Sequence, residues 1–191
     1  MSGGLLSAWR MWDQLYYHCT RLQYVDRENQ NLFRVVIKPY HGPTLTTSDG
    51  VVLHRGDWYA KLHLHNCLLA HILRRYRGDD VQMALRVLTE VRQSLPALAR
   101  FVADHPRSGQ IRVLMGTTFL HRGSQHLGFD VTDLPDTWYA AYKTWFFKFI
   151  LSNCHPEGWK RLKTGNSPLV PKRVYISKAR LFRRYLDGEE P

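Results

Sequence analysis

VVLHRGDWYAKLHLHN, Val51–Asn66, decides how the rest of the chain is read. In its second half Lys61, His63 and His65 alternate with Leu62 and Leu64, which is the period of a half-buried β-strand and not of a helix. The turn signal HRGD divides the stretch into two strands joined in hairpin fashion. Just upstream, LFRVVIKPY is rich in β-branched and aromatic residues and stops at Pro39, so it reads as an earlier strand, with turns marked by Pro43 and SDG. Connections this short cannot make parallel crossovers, so these strands are expected to pair antiparallel.

Downstream, Asn66 is a good N-cap for a helix over CLLAHILRRY, which Gly78 closes. Asp79 or Asp80 then caps a longer helix, with Val81, Leu85, Leu88, Val91 and Leu95 as its core stripe and a kink or restart at Pro96. QIRVLMGTTFL reads as a strand that enters the loop HRGSQHLGF. VTDLPDTWYAAYKTWFFKFILSNC opens with capping residues and continues as an apolar helix with Trp138, Tyr142, Trp145 and Phe149 on one stripe. KRVYIS is a last strand, and Ser177 caps a basic helix over 177–187. At the other end, Leu5, Trp9, Trp12, Tyr16 and Cys19 form one stripe of an amphipathic helix over 1–24. The whole, 1–191, is expected to be a single α+β domain: a mainly antiparallel sheet of about five strands with helices packed on one face.

At 191 residues and 44% hydrophobic content the chain can bury a core without disulfides. Cys19, Cys67 and Cys154 are odd in number and far apart, which excludes a disulfide framework or a zinc ribbon and suits a reducing cytoplasm. The 27 Lys and Arg against 16 Asp and Glu leave a net charge of +11, a field that attracts phosphate, anionic lipid or acidic glycan. No apolar run is long enough for a membrane span, although Lys143 and Lys148 beside the aromatic stripe also suit a helix lying peripherally at an anionic membrane surface.

Four chemistries fit the alternating stretch. As metal ligands, His63 and His65 have the right face and no evident third partner, so no metal and no cofactor is expected. As an acid or base, His63 needs only a partner such as Asp57 or Asp130. As an anion cradle, Lys61, His63 and His65 would face Arg112 on another strand and His121, Arg122 and His126 from the glycine-containing loop. The fourth is the hydrogen-bonded side of an ordinary sheet. Nucleic acid is a further candidate partner, because basic and aromatic residues interleave in RVYISKARLFRRYL, but no nucleic-acid module is recognisable.

Three stretches, SDGVVLHRGDWYAKLHLHN, GTTFLHRGSQHLGFDV and VYISKARLFRRY, resemble the YkoP-like domain family. The most specific matches are Gly56, Asp57, Leu62, His63, Leu64 and Asn66, followed by Leu127 to Phe129. The family is found as stand-alone proteins of spore-forming bacteria and joined to polysaccharide deacetylases. The resemblance therefore implies cell-envelope carbohydrate and a possible deacetylase partner, but not deacetylase activity, since no TFDDG motif is present. The expectation is a cytoplasmic or membrane-peripheral domain that binds an anionic or amphiphilic ligand, such as a phosphorylated or lipid-linked saccharide. Lys61, His63, His65, Asn66, Arg112, His121, Arg122 and His126 are its candidate contacts. The alternatives are an enzyme using His63 and Asp57 on such a substrate, and a nucleic-acid-binding protein.

Overall fold

Alternation along the chain builds a six-stranded sheet in the computed structural model, which describes residues 22–26, 28–65, 68–69, 80–118, 121, 123–134 and 170–188. In chain order the elements are β1 (Gln23–Tyr24), β2 (Phe33–Pro39), β3 (Leu45–Thr46), β4 (Val52–Leu53), β5 (Trp58–Leu64), α1 (Asp80–Asp104), β6 (Val113–Thr118), β7 (Asp130–Asp133), β8 (Lys172–Ser177) and α2 (Lys178–Tyr185). The main sheet runs β1-β2-β5-β6-β8-β7, and β3 with β4 makes a separate two-stranded sheet. Only the β5–β6 pair is parallel, Tyr59 lying opposite Val113; every other neighbouring pair in the main sheet is antiparallel.

One face of the sheet carries the larger core. Val35, Ala60, Leu62, Leu114, Val174 and Ile176 cluster there with Leu95, Leu98 and Val102 of α1 and Leu181 of α2. Removing these side chains from water is the main force joining helices to sheet. The other face is covered at one end by the β3–β4 hairpin, where Leu53 packs with Tyr40, Tyr59, Val113, Met115 and Tyr175.

The α+β class, the antiparallel majority and the placing of α1 and α2 on one face agree with the sequence. So do β2, β8 and α2, whose N-cap Ser177 accepts a hydrogen bond from the Arg180 N–H at 2.9 Å. Several details differ. HRGD does not join a hairpin: the Asp57 carboxylate accepts from the His54 N–H at 2.9 Å, and the resulting turn passes the chain from the small sheet to the main one. The expected N-terminal helix over 1–24 lies outside the described residues except at its end, where Gln23–Tyr24 form an edge strand beside Val35 and Arg34. Asp130–Asp133, read as helix caps, form β7, because Val131 points to the core and the segment completes the edge beside β8. With Val52–Leu53 in the small sheet, four of the expected strands and these two edges make the six of the main sheet.

α1 continues through Pro96 without a break. Pro96 has no N–H to donate to the Arg92 carbonyl one turn earlier, and Arg92 lies on the exposed side of the helix. Of the expected stripe, Leu95 is fully buried and Leu88 and Val91 pack against the core, but Leu85 is 57% exposed; the stripe continues instead beyond Pro96 through Leu98 and Val102. Ser94 anchors the chain entering β2, accepting from the Leu32 N–H at 3.3 Å, while its carbonyl accepts from the Asn31 side-chain amide at 2.9 Å. The three cysteines and the aromatic stripes at 5–19 and 138–149 lie outside the described residues. Among the described residues no helix is long and apolar enough to cross a membrane.

Candidate functional site

The strand register gives the face opposite α1 a basic character. Arg34 lies across from His63, Val36 from Lys61 and Lys38 from Tyr59, so Arg34, Lys38, Lys61 and His63 project to the same side. Thr117 of β6 pairs with Arg173 of β8, which adds a cation from the far half of the sheet. Between the two halves lies a pocket of about 340 Å3 whose lining includes Lys38, Lys61, Arg173 and His41. Tyr40 and Tyr59 supply flat walls, their rings edge to face with centroids 5.5 Å apart. The Tyr40 hydroxyl is held away from solvent chemistry by donating to the Pro43 carbonyl at 2.8 Å.

Of the residues named from sequence, Lys61 lines this pocket and His63 shares its face. His65 ends the strand: its Nδ1 accepts from the Leu68 N–H at 3.2 Å, the capping job expected of Asn66. Asn66 and Arg122 lie outside the described residues. Arg112 precedes β6 by the 54–57 turn, its guanidinium donating to the Val52 carbonyl at 3.0 Å and lying 3.8 Å from Asp57. That places it about 10 Å along the strand from Met115, the neighbour of Lys61. His121 precedes the short 3-10 turn Ser124–Leu127 and His126 lies within it; Ser124 donates to the His121 carbonyl at 2.7 Å and Arg184 of α2 to the His126 carbonyl at 2.9 Å. Because Leu127 enters the core on the helix face, this loop does not bring His126 to Lys61.

The companions of Lys61 are therefore Lys38 and Arg173, which sequence reasoning missed. A signal existed: RVVIKP and KRVYIS alternate as AKLHLHN does, so Lys38 and Arg173 were each assignable to one face of a strand.

A second assembly closes the hairpin over the sheet. The turn Thr47–Gly50, with Gly50 at φ +84°, sets Ser48 and Asp49 against β7 and the start of α2. The Ser48 N–H donates to Asp130 at 2.9 Å and its hydroxyl is bonded to the same carboxylate. The Ser177 hydroxyl donates to Asp49 at 2.5 Å while capping α2. Arg180 lies between both carboxylates, 3.3 Å from Asp130 and 3.6 Å from Asp49. Burial pushes the Asp49 carboxyl up, but hydrogen bonds from Ser177 and Thr47, with the Arg180 charge, outweigh it and hold the group below its usual value. The three stretches that carry the family resemblance thus meet in one cluster.

Gly128 ends the 3-10 turn beside this cluster at φ +85°, and a Cβ there would lie 2.9 Å from Nη1 of Arg184. Gly128→Ala is expected to destabilise by about 1–2 kcal/mol from the left-handed backbone alone, read as a lower melting temperature. A change no larger than that of an exposed substitution would show that the turn readily rearranges.

Among the described residues, no three His, Cys, Asp or Glu side chains gather as a metal site requires. In comparisons with known proteins, no solved structure matches the chain. It is 33% identical over 138 residues to the uncharacterized protein YkoP of Bacillus subtilis strain 168, covering 72% of this chain and 75% of that protein. With the YkoP domain matched across residues 2–185, and with its signature stretches drawn together in the hairpin cluster, the chain belongs to the YkoP domain family.

Proposed function

We propose that this domain binds a small phosphorylated ligand, of the kind presented by phosphorylated or lipid-linked saccharides of the cell envelope, in the pocket between β2, β5, β6 and β8. The observation that carries this reading is the convergence of Lys38, Lys61 and Arg173 on a pocket whose lining, among the described residues, contains no carboxylate. An arginine offers paired donors to phosphate oxygens, and lysines add point charge from other directions. The pocket volume lies at the lower end of the range for small-molecule sites, and tyrosine walls suit the flat face of a sugar ring. The envelope setting rests on the family resemblance. It is part of the same proposal, as are a cytoplasmic location near the anionic membrane face and a polysaccharide deacetylase working alongside.

Thermal melts with glucose 1-phosphate, glucose and inorganic phosphate test this. The phosphorylated sugar is expected to raise the melting temperature, since a ligand at a hundred times its Kd stabilises the folded state by about 2.7 kcal/mol. Glucose is expected to do nothing. The Lys61→Ala, Arg173→Ala double variant should lose the shift while its own stability falls by about 1 kcal/mol or less. An equal shift in that variant would move the anion site elsewhere.

A further inference from the structure

The pocket is not isolated from the other cations at this end of the sheet. The Gly56 N–H donates to the Tyr40 carbonyl at 2.8 Å, and the Tyr40 N–H to the Asp57 carbonyl at 2.8 Å. These bonds hold the 54–57 turn, which carries the exposed Arg55, against the Tyr40 backbone, the residue before His41 on the pocket wall. Arg112 stands over the same turn. Next to it the Arg107 guanidinium lies 4.1 Å from the centre of the Trp58 ring, while the Arg112 N–H donates to the Trp58 carbonyl at 3.2 Å. Stacking holds a guanidinium flat, and here Nη1 of Arg107 also donates to the Gln110 side-chain oxygen at 3.3 Å. Among the described residues a carboxylate beside this path is Asp57, engaged by the His54 N–H and by Arg112. From Arg112 to Thr117, which pairs with Arg173, the strand alone advances about 17 Å.

We infer that the ligand is a chain of phosphates in series, whose terminal group occupies the pocket and whose following charges run over the end of the sheet past Arg55, Arg112 and Arg107. This deepens the pocket reading and rests on it. The chemistry is that of a linear phosphodiester or polyphosphate. A single-stranded nucleic acid is disfavoured on the Arg107 side, because the Arg107 guanidinium covers a face of the Trp58 ring on which a base would stack.

Binding of inorganic tripolyphosphate, longer inorganic polyphosphates and a glycerol-phosphate oligomer, each across a salt series, tests the inference. Affinity is expected to rise at least tenfold from tripolyphosphate to the longer chains, with a steeper dependence on salt. Arg55→Ala and Arg107→Gln should each reduce the salt slope for long chains by about one and leave tripolyphosphate binding unchanged. Preference for the glycerol-phosphate oligomer over polyphosphate of equal charge would identify a phosphodiester as the source, and the reverse a polyphosphate. Long chains binding no tighter than tripolyphosphate, or indifferent to both arginine variants, would overturn the inference and leave the pocket reading standing. Loss of tripolyphosphate binding in no pocket variant would sink the pocket reading instead. Tighter binding of single-stranded DNA than of either phosphate chain would also overturn the inference, since bases would then carry the recognition.

Discussion

Leu62→Ala is expected to destabilise the protein by about 2–5 kcal/mol, the range of buried leucine truncations. Leu62 is 7% exposed and belongs to the core between the sheet and α1. Its neighbour across the strand pair is Val35, fully buried, and Gly116 of β6 approaches so closely that a Cβ there would meet the Leu62 side chain at 3.4 Å. A well-filled site of this kind collapses poorly when atoms are removed, which favours the upper part of the range. Leu64, only partly buried at the end of the strand, should cost less. Against a total stability of about 5–15 kcal/mol such a loss is large. Urea melts of Leu62→Ala, Leu64→Ala and Lys61→Ala compare the two faces of one strand directly. A Lys61→Ala loss as large as that of Leu62→Ala would mean that the basic face is packed like a core.

Asp49→Ala should cost about 1.5–3 kcal/mol, the worth of hydrogen bonds to a charged group, because it removes the acceptor of Ser177 and one of the two carboxylates facing Arg180. The pH dependence has a definite sign. The folded-state value is depressed, so the contribution is fully present above the unfolded carboxylate value of about 3.9 and is lost as pH falls through the folded value. Asp26, held low by hydrogen bonds from Asn29, titrates in the same acid window and stays in the variant. The readout is therefore the difference between wild type and Asp49→Asn in melts from neutral pH into acid. The gap between them should shrink as the pH drops. A constant gap down to the most acid condition would show that Asp49 acts through shape and not charge.

Sequence periodicity carried the interior of the fold further than its edges. β2, β5 and β8 were legible because each alternates over six or seven residues, and α2 because Ser177 can only be its cap. β7 was not: threonine and aspartate serve equally at helix starts and on edge strands, and only contact with β8 decides between them. HRGD reads as a hairpin loop from composition, yet its strands belong to different sheets, which depends on packing of Leu53, beside the turn, against Val113, Met115 and Tyr175 from distant parts of the chain. Half the site follows the same logic. Alternation places Lys61 on a face, but it cannot state that β8 lies next to β6, and so could not pair Lys61 with Arg173 in preference to Arg112.

The single parallel pairing divides the sheet into β1-β2-β5 and β6-β8-β7, two antiparallel halves joined along one seam. The seam closes only after the long crossover holding α1 has swung back, a contact between distant parts of the chain. Such non-local pairings form slowly compared with those inside the first half, and the pairing of β6 with β8, Val113 opposite Ser177, spans as much chain as the seam does. Lys38 and Lys61 belong to the first half, Thr117 and Arg173 to the second. A newly made chain would therefore acquire its pocket at the last step of folding, and a ligand bound there would act as a latch across the seam, slowing its reopening more than the loss of either half's own structure.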